Sequence, residues 1–314
     1  MDFYLTTLGT SAAGPVPGRW ASGQYFRTPK TGFLIDAGEG TQISLQRNGI
    51  GWGAIDVILI SHMHGDHIYG LPGLLTSWAL NQRTTPLTII GPSNLQPFLE
   101  TVFKYSHTGL PFSVDYQSID SSSPGSLVFE DKHIRVTTIP LVHRVPTTGY
   151  LITEKARPRT MRAELIAKYE IPYQEIPGIK AGADFVTASG HRIPNKELTA
   201  VAPPARSFAY CSDTMPDSKI IPFIKGVDLL FHEATFLDEL AEHAVISTHT
   251  TAKQAAEVAQ AAEVKQLVIG HFSPRYGNLK PLLEEASAIF PNTALAEEGR
   301  VFAVAYAGRL ESSL

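Results

Sequence analysis

The densest group of chemically reactive side chains in this sequence lies between residues 62 and 67. The segment reads His-Met-His-Gly-Asp-His and carries three imidazoles and one carboxylate within six residues. It follows residues 57–60, a strongly apolar run rich in β-branched side chains that predicts a buried strand. Burying so many polar groups without a shared partner would cost free energy. Imidazole and carboxylate ligands at this density suit zinc or a similar first-row metal ion.

The order of these residues suggests how their side chains reach one hollow. Side chains alternate along an extended chain, so His62 and His64 share a face if the strand continues through them. Gly65 has no Cβ and allows a sharp turn, which brings Asp66 and His67 toward the same hollow from another angle. Four donors on one tight turn exceed what a single tetrahedral ion with an open position needs from one segment. The sequence therefore predicts two ions close together, completed by ligands from elsewhere.

Three further ligand candidates lie just past predicted strands. His143, Asp213 and His271 each follow an apolar run. Loops at strand ends are where a rigid scaffold usually presents chemistry. Together these residues offer two imidazoles and one carboxylate that can bridge two ions, although each alone could be structural. Asp36, at the end of another predicted strand, either orients a ligand histidine or forms a turn.

Two more polar residues suggest acid–base chemistry. Glu233 directly follows a predicted strand, and His249 precedes a predicted helix. A carboxylate that orients a histidine is a common acid–base pair. The alternative for this neighbourhood is helix capping, with Thr250 as the expected cap. Cys211 is expected to be a small buried apolar residue, and the remaining histidines, at 107, 133, 191, 232 and 243, are expected to have no special role.

Strands and helices occur together in both halves of the chain. This pattern predicts an α/β fold in which two sheets pack face to face with helices outside. Strands are predicted at residues 2–8, 32–35, 57–60, 87–90, 112–117, 127–130, 134–139, 149–153, 208–210, 227–231 and 267–269. Helices are predicted at residues 41–47, 71–80, 94–104, 161–169, 251–262 and 280–289.

Residues 154–199 differ from the rest of the chain. They are poor in strand pattern and rich in charge, proline and glycine. We predict an arm that projects from a single domain spanning residues 1–314. A basic cluster opens this arm, formed by Lys155, Arg157, Arg159 and Arg162. It is either a solvated loop or part of a substrate arm whose cations meet phosphates.

Composition limits the environment and the classes of partner. The chain has 314 residues, of which 43% are hydrophobic and 18% charged, which allows an ample core. No apolar run of about 18 residues occurs, so no membrane span is expected, and the first residues lack the features of a signal peptide. A single cysteine permits no internal disulfide and is typical of a reducing cytoplasm. The net charge of -4 gives no overall attraction to nucleic acid, so an RNA substrate would need a local basic patch.

Several segments resemble known proteins. Residues 62–67 match the His-x-His-x-Asp-His signature of the metallo-β-lactamase superfamily, and more of the chain is similar to the ribonuclease Z family of tRNA 3′-end processing endonucleases. The matching segments follow the order of the family across nearly the whole chain. They are residues 8–11 (LGTS), 36–42 (DAGEGTQ), 61–73 (SHMHGDHIYGLPG), 86–92 (PLTIIGP), 140–146 (PLVHRVP), 212–214 (SDT), 232–236 (HEATF), 249–251 (HTT) and 271–276 (HFSPRY).

The resemblance implies a four-layer αββα sandwich that binds two zinc ions, or manganese or another divalent ion in their place. By resemblance, one ion is held by His62, His64 and His143, the other by Asp66, His67 and His271, and both by Asp213. Asp66 would also act as base toward the attacking water, and His249, supported by Glu233, would protonate the leaving oxygen.

The same resemblance implies a substrate and an assembly. Members of the family cut tRNA precursors, leaving a 3′ hydroxyl on the tRNA and a 5′ phosphate on the trailer, and are usually homodimers. Arg144 or Arg275 could contact phosphate, or pair with a surface carboxylate. The arm departs from the family pattern, because residues 171–178 keep an Ile-Pro pair but lack the Gly-Pro pair at the tip.

Three other functions are compatible with the same kind of fold. The nearest is hydrolysis of small phosphodiesters, such as cyclic nucleotides, at the same dinuclear site. A redox di-iron protein is the second, but such proteins usually carry Glu in place of His64. A noncatalytic RNA-binding relative is the third, and the complete ligand set argues against it.

Overall fold

The first of two large sheets begins at the N-terminus and is closed by a strand from the C-terminal end. The computed structural model describes residues 2–306, and elements are numbered in chain order. The sheet has the strand order β18-β1-β2-β3-β4-β5-β6, with β3 to β6 parallel. Its strands are β1 (Tyr4–Gly9), β2 (Gly23–Arg27), β3 (Gly32–Ala37), β4 (Val57–Leu59), β5 (Leu87–Pro92), β6 (Val114–Ile119) and β18 (Val301–Ala303).

The second large sheet has the order β17-β16-β15-β14-β9-β8-β7. Its strands β14 to β17 run parallel, whereas β9 pairs with β14 antiparallel. The parallel strands therefore present their carboxyl ends along one edge, where loops carry side chains into a shared region. The strands are β7 (Leu127–Glu130), β8 (Ile134–Pro140), β9 (Thr148–Glu154), β14 (Ser207–Cys211), β15 (Leu229–Glu233), β16 (Leu267–Gly270) and β17 (Thr293–Leu295).

Three apolar clusters define four layers. One cluster joins the inner faces of both sheets, where Phe26 stacks on Phe208 with ring centroids 4.4 Å apart. A second lies between the outer face of the second sheet and its helices, and a third lies between the outer face of the first sheet and its helices. Because side chains alternate along a strand, each sheet can feed two clusters. The predicted α/β fold with an αββα sandwich is confirmed.

The helices of the core lie on the outer faces. On the first sheet they are α1 (Thr41–Arg47), α2 (Gly65–Ile68), α3 (Gly70–Leu80) and α4 (Leu95–Tyr105). Those that follow β14 are α8 (Ile221–Ile224), α9 (Ala241–Ser247), α10 (Ala252–Ala261) and α11 (Lys280–Ser287). Short 3₁₀ turns occur at Trp52–Ala54, Ser218–Ile220 and Asp238–Leu240. Among residues 2–306 no helix has both the length and the apolar character needed to cross a membrane.

Residues 154–205 form a second compact unit together with residues 305 and 306. This unit has its own small apolar cluster around Ile179 and Phe185. Its elements are β10 (Thr160–Met161), α5 (Ala163–Lys168), a 3₁₀ turn at Tyr173–Glu175, α6 (Ile176–Lys180), β11 (Phe185–Val186), β12 (Arg192–Ile193), α7 (Asn195–Leu198) and β13 (Thr199–Ala200). The description of residues 154–199 as a projecting arm stays a prediction.

Some local predictions were wrong. Thr251, not Thr250, caps α10, through a reciprocal capping box with Gln254. Thr250 instead donates its hydroxyl to the Thr214 carbonyl. The strand expected at residues 112–117 is shifted by two residues to Val114–Ile119, and it is half exposed because it lies at the sheet edge. The buried strand β2 was missed, since its two aromatic residues, Tyr25 and Phe26, are adjacent and do not alternate with polar residues.

Candidate metal centre

The first group of converging side chains lies beyond the carboxyl ends of β4, β8 and β14. It comprises His62, His64, His143 and Asp213, whose donor atoms all lie within 4.8 Å of one another. His62 Nε2 is 3.0 Å from His64 Nδ1, which is 3.3 Å from His143 Nε2. Asp213 Oδ2 lies 3.6 Å from the Nε2 atoms of both His62 and His143.

A second group faces the other oxygen of Asp213. Asp66, His67 and His271 form it, again with donor atoms within 4.8 Å of one another. Asp213 Oδ1 lies 3.2 Å from His67 Nε2 and 3.1 Å from His271 Nε2. Asp66 Oδ2 is 3.6 Å from His67 Nε2 and 3.5 Å from His271 Nε2. The two oxygens of one buried carboxylate thus face different groups.

These separations match the edges of a coordination tetrahedron. Zinc bonds of about 2.0–2.2 Å place neighbouring donors about 3.3–3.6 Å apart. The buried Nε2 atoms of His67 and His271 have no hydrogen-bond partner in the described part of the chain. Buried polar atoms are normally satisfied, so a cation between these nitrogens and the carboxylate oxygens accounts for their placement. The residues therefore fit a pair of divalent ions.

The backbone around the histidine-rich segment is tightly fitted. The segment after β4 is extended at His64, as considered for His62 and His64, and the chain then turns at Gly65 into the single helical turn α2, which carries Asp66 and His67. A Cβ added to Gly38 would lie 2.0 Å from the Asp66 carbonyl oxygen, and one added to Gly70 would lie 2.0 Å from the Gly38 carbonyl oxygen. Only glycine allows this approach, so the two glycines fix the place of α2.

Each histidine whose Nε2 faces the centre has its Nδ1 held by an oxygen atom. His67 Nδ1 donates to Asp36 Oδ2 at 2.8 Å, and His143 Nδ1 donates to the Thr248 carbonyl at 2.9 Å. His62 Nδ1 lies 3.0 Å from Ser61 Oγ, and His271 Nδ1 lies 3.1 Å from Thr235 Oγ1. Such partners set the tautomer and orientation of the ring, leaving Nε2 free to bind a metal ion.

Asp36 accepts several buried hydrogen bonds that hold residues behind the metal centre. Its Oδ1 accepts from the Ser61 backbone amide, and its Oδ2 accepts from Ser61 Oγ, His67 and the Tyr210 hydroxyl, each at 2.8 Å. Of the two roles considered for Asp36, orientation of a histidine is therefore the one seen in the structure.

Backbone strain is concentrated at the same place. Asp36, His271, Thr248 and Ala13 adopt positive φ angles of 57°, 57°, 58° and 61°. Positive φ is uncommon for non-glycine residues, and an outlier for a β-branched one such as Thr248. Such strain persists where surrounding contacts impose it, commonly at functional sites.

The carboxylates and histidines shift each other's pKa. Burial disfavours a charged Asp213, but His271, His67 and His62 outweigh it and hold the pKa of this carboxyl well below its usual range. Burial likewise disfavours a charged His67, yet Asp213, Asp66 and Asp36 raise its pKa well above the usual value. The buried carboxylates are thus stabilised by positive charge at the centre, which divalent ions would supply.

Asp66 is also held from the N-terminal loop. The backbone amide of Ala13 donates to Asp66 Oδ2 at 2.8 Å. The loop is itself anchored on both sides of Ala13 by Glu298. The carboxylate of Glu298 accepts from Thr10 Oγ1 at 2.8 Å and from the Trp20 amide at 3.2 Å. The glycine-rich loop after β1 therefore helps to orient a predicted ligand and base, a role that its sequence did not reveal.

Glu233 and His249 form the expected pair. His249 Nδ1 lies 2.8 Å from Glu233 Oε1, and Glu233 is fully buried. Glu233 also accepts from the backbone amides of Thr214 at 2.8 Å and Thr250 at 3.1 Å, which fixes the carboxylate. Burial alone would lower the pKa of His249, but Glu233 outweighs it and raises this pKa to about 9. Without bound ions this pKa makes His249 a cation at neutral pH, held beside the centre.

The centre opens into a hollow of about 260 Å³. His64, Asp66, His143, Asp213, His249 and His271 all reach it. The ring of His249 lies between those of His143 and His271, at centroid distances of 5.1 and 5.5 Å. His249 therefore lies beside both ligand groups.

The structure brings together all seven residues predicted as metal ligands, and their role as ligands stays a prediction. Arg144 reaches the hollow, but its Nη2 donates to the Ile246 carbonyl at 3.0 Å. Arg275 donates to Ser273 Oγ at 3.1 Å and lies 5.1 Å from the Phe236 ring centroid. Cys211 is buried, as expected. The supporting residues Thr235 and Thr248 were missed, because nothing local in the sequence marks a threonine that contacts a distant histidine.

The chain is similar to curated proteins over nearly its whole length. It is 44% identical over 298 residues to a protein named Ribonuclease Z from Parabacteroides distasonis, covering 95% of this chain and 98% of that protein. It is also 44% identical over 296 residues to Ribonuclease Z from Bacteroides thetaiotaomicron, covering 94% and 93% of the two chains. Residues 3–144 match a family model described as Anti-Pycsar protein Apyc1.

Solved structures share the fold. Human tRNase Z, short form, superposes with a TM-score of 0.69 at 28% identity, covering 96% of this chain and 99% of that one. The metallo-β-lactamase fold protein YhfI from Bacillus subtilis gives a TM-score of 0.66 at 17% identity, covering 96% and 99%. The second likeness concerns the fold alone.

Proposed function

Because the chain belongs to the ribonuclease Z family, we propose that it is a metal-dependent endoribonuclease that cuts tRNA precursors at their 3′ end. The cut would leave a 3′ hydroxyl on the tRNA and a 5′ phosphate on the trailer. The observation that carries this proposal is the pair of ligand groups sharing Asp213, with the His249–Glu233 pair at their rim. A phosphodiester placed there meets both a cationic centre and a proton donor.

Seven residues would hold two zinc ions, with manganese or another divalent ion as a substitute. The imidazole-rich donor set and the tetrahedral spacings favour zinc over magnesium or calcium, which prefer oxygen ligands. When bound, the ions supply an ionised water near neutral pH and neutralise charge on the phosphate oxygens.

The chain's own groups would divide the remaining work. Asp66, oriented by the Ala13 amide, would accept a proton from the attacking water. His249, charged through its contact with Glu233, would donate its proton to the departing 3′ oxygen of the ribose. The imidazole then remains paired with Glu233, which keeps it oriented.

The finer biological setting is also a proposal. We place the protein in the cytoplasm, in keeping with a single, buried, unpaired cysteine. We also propose a homodimer, as the resemblance implies, which sedimentation analysis would test. The tRNA precursor would meet the arm as well as the metal centre.

A second candidate is hydrolysis of small or cyclic phosphodiesters. The model that matches residues 3–144 belongs to a differently named family and includes five of the seven proposed ligands. Residues 3–144, which carry most of the proposed ligands, are therefore similar to a family other than ribonuclease Z. Comparing kcat/KM for a tRNA precursor with that for bis(p-nitrophenyl) phosphate separates the two candidates.

The direct test uses a tRNA precursor with a 3′ trailer and analyses the ends of the products. We expect a 3′ hydroxyl on the tRNA and a 5′ phosphate on the trailer. His64→Ala should lower kcat by about a thousandfold or more, because one ligand group loses a donor. His133→Ala, at an exposed histidine outside both groups, is the matched control. Full activity of a folded, metal-free His64→Ala variant would contradict the proposal.

A further inference from the structure

A second hollow, of about 520 Å³, lies beside the metal centre and is lined by none of the seven proposed ligands. It lies beyond the carboxyl ends of β4, β5 and β6. Its floor and walls are largely apolar, with contributions from Met63, Ile119, Val145 and Pro146. Its volume is ample for a nucleoside and is within the usual range for a small-molecule site.

The two hollows share the same two chain segments. His64 lines the metal hollow and Met63, its neighbour, lines the second one. Similarly, Arg144 lines the metal hollow and Val145 lines the second. In both segments adjacent side chains enter different hollows, along extended backbone at Met63 and His64 and across a bend at Arg144 and Val145. The two segments thus form a ridge that serves the metal centre with one side and the second hollow with the other. A ligand that crosses this ridge contacts both.

The charges around the second hollow argue against a phosphate. Every lining residue belongs to the described part of the chain, and none is Lys, Arg or His. The one charged group is Asp120, whose pKa is lowered by hydrogen bonds from Ser122 and Ser123. A carboxylate repels an anion but accepts hydrogen bonds from the amino group of a base.

Polar side chains at the rim are available for a ligand. Asn94 precedes α4, yet its side chain makes no capping hydrogen bond. Within residues 2–306 the side chains of Ser93, Asn94 and Ser121 make no hydrogen bond to another residue. Apolar walls with a few polar groups at the rim suit a flat ring with a polar edge, which is the chemistry of a nucleobase.

We propose that this hollow binds the base of a nucleotide next to the scissile phosphate. The phosphate would lie at the metal centre, the chain would cross the ridge at Met63 and Val145, and the base would enter the hollow. Asn94, Ser93 and Asp120 would contact the polar edge of the base. The inference rests on the proposed phosphodiester hydrolysis, but it does not require that the substrate be tRNA.

The experiment uses the metal-loaded, full-length protein and two small substrates. One is bis(p-nitrophenyl) phosphate, which has no base. The other is a nucleoside p-nitrophenyl phosphate, with the nucleoside attached through its 3′ oxygen or its 5′ oxygen. The quantity compared is the ratio of kcat/KM for the nucleoside ester to that for the base-free ester, so a change at the metal centre cancels.

Two variants test the hollow. Asn94→Ala removes a polar contact and should lower the ratio roughly three- to tenfold, as the loss of one or two hydrogen bonds would. Ser93→Phe fills the space and should lower the ratio at least as much. The matched controls are Gln96→Ala and Ser118→Phe. Neither residue lines the second hollow; both line a smaller neighbouring one that shares Pro92 and Ser93 with it, so these changes should leave the ratio as in the parent protein. Thermal unfolding and metal content show that each variant is folded and loaded.

The outcomes are distinct. A parent ratio near one, or a ratio that neither Asn94→Ala nor Ser93→Phe lowers, would overturn the base site. An equal fall in the controls would also overturn it, since the effect would not belong to this hollow. If the two variants lower the ratio while the parent protein leaves tRNA precursors uncut, the base site stands and the tRNA assignment fails.

Discussion

The protonation of His249 is set by single side chains. Its ring is mostly buried, which disfavours the cation, but it lies 2.8 Å from the buried carboxylate of Glu233. The effect of the Glu233 carboxylate outweighs that of burial, and the pKa of His249 rises to about 9. Because this pKa is raised, the stabilising pair is fully formed below about pH 6.5 and is lost as the pH rises through about 9. Divalent ions nearby oppose the cation, so the loaded protein titrates at or below that pH.

This pairing predicts the alkaline limb of the pH–rate profile. The proposed acid must be protonated, so kcat should be level below the His249 pKa and fall as the pH rises through it. Glu233→Gln removes the charge that raises the pKa, so the fall should move toward pH 6.5, with kcat at pH 8 lower by about tenfold or more.

The measurement is kcat for precursor cleavage between pH 5 and 10, with metal content checked at each end. Glu257→Gln, which removes a carboxylate outside the centre, is the control. An unmoved alkaline limb in Glu233→Gln would exclude His249 as the acid.

Elements, in turn, are tied together by buried polar contacts away from the centre. Arg83 is buried and donates to the carbonyl oxygens of Trp52, Ile55, Thr85 and Pro86, at 2.7 to 3.1 Å. Its guanidinium also lies 5.0 Å from the Trp78 ring centroid. These carbonyls precede β4 and β5, at the amino ends of the strands whose carboxyl ends lead to the metal centre and the second hollow.

Arg83→Met is therefore expected to destabilise the fold without altering the chemistry. Four carbonyls would lose their donor, which should lower the free energy of unfolding by about 3 kcal/mol or more. Arg47→Met, at an exposed arginine 5.6 Å from the Trp20 ring centroid, should cost about 1 kcal/mol or less. Denaturant unfolding measures both. Equal stability of the two variants would show that the buried network is not important.

The sequence predicts where the ligand candidates lie along the strands better than it predicts which residues orient them. Each ligand candidate could be found because it follows an apolar run that becomes a buried strand, as His143 follows β8 and His271 follows β16. The partners that orient these histidines could not be found, because Thr248 meets His143 across 105 residues and Thr235 meets His271 across 36. The left-handed backbone at Asp36 and His271 is likewise imposed by tertiary contacts, not by local residue type.

For the whole molecule, the distribution of charge sets the arm apart from the rest of the chain. Residues 154–205 contain eight Lys or Arg and six Asp or Glu, a net positive segment in a chain of net charge -4. Several of these cations are engaged within the unit, as when Arg157 meets Glu154 at 3.0 Å and Arg192 meets Asp184 at 2.7 Å. The basic cluster is thus partly structural, which leaves fewer cations for phosphates than its composition suggests.

Replacing residues 156–204 with a short Gly-Ser linker should affect large and small substrates differently. The chain leaves the core at Thr153 and returns at Ser207, which are paired neighbours on adjacent strands, so a short linker can join them. We expect kcat/KM for tRNA precursor to fall tenfold or more, with a weaker dependence on salt, because phosphate contacts are lost. Turnover of bis(p-nitrophenyl) phosphate should stay within about twofold. A parallel loss of both activities would contradict a binding role for the arm.

Metal titration of the stripped protein shows whether precursor cleavage depends on two bound ions. Zinc is added back to chelator-treated protein while precursor cleavage and bound metal are measured on the same samples. We predict no cleavage without metal, and full cleavage, with the expected product ends, when about two ions are bound per chain. Cleavage that persists in metal-free protein, or fully loaded protein that leaves the precursor uncut, would contradict the account.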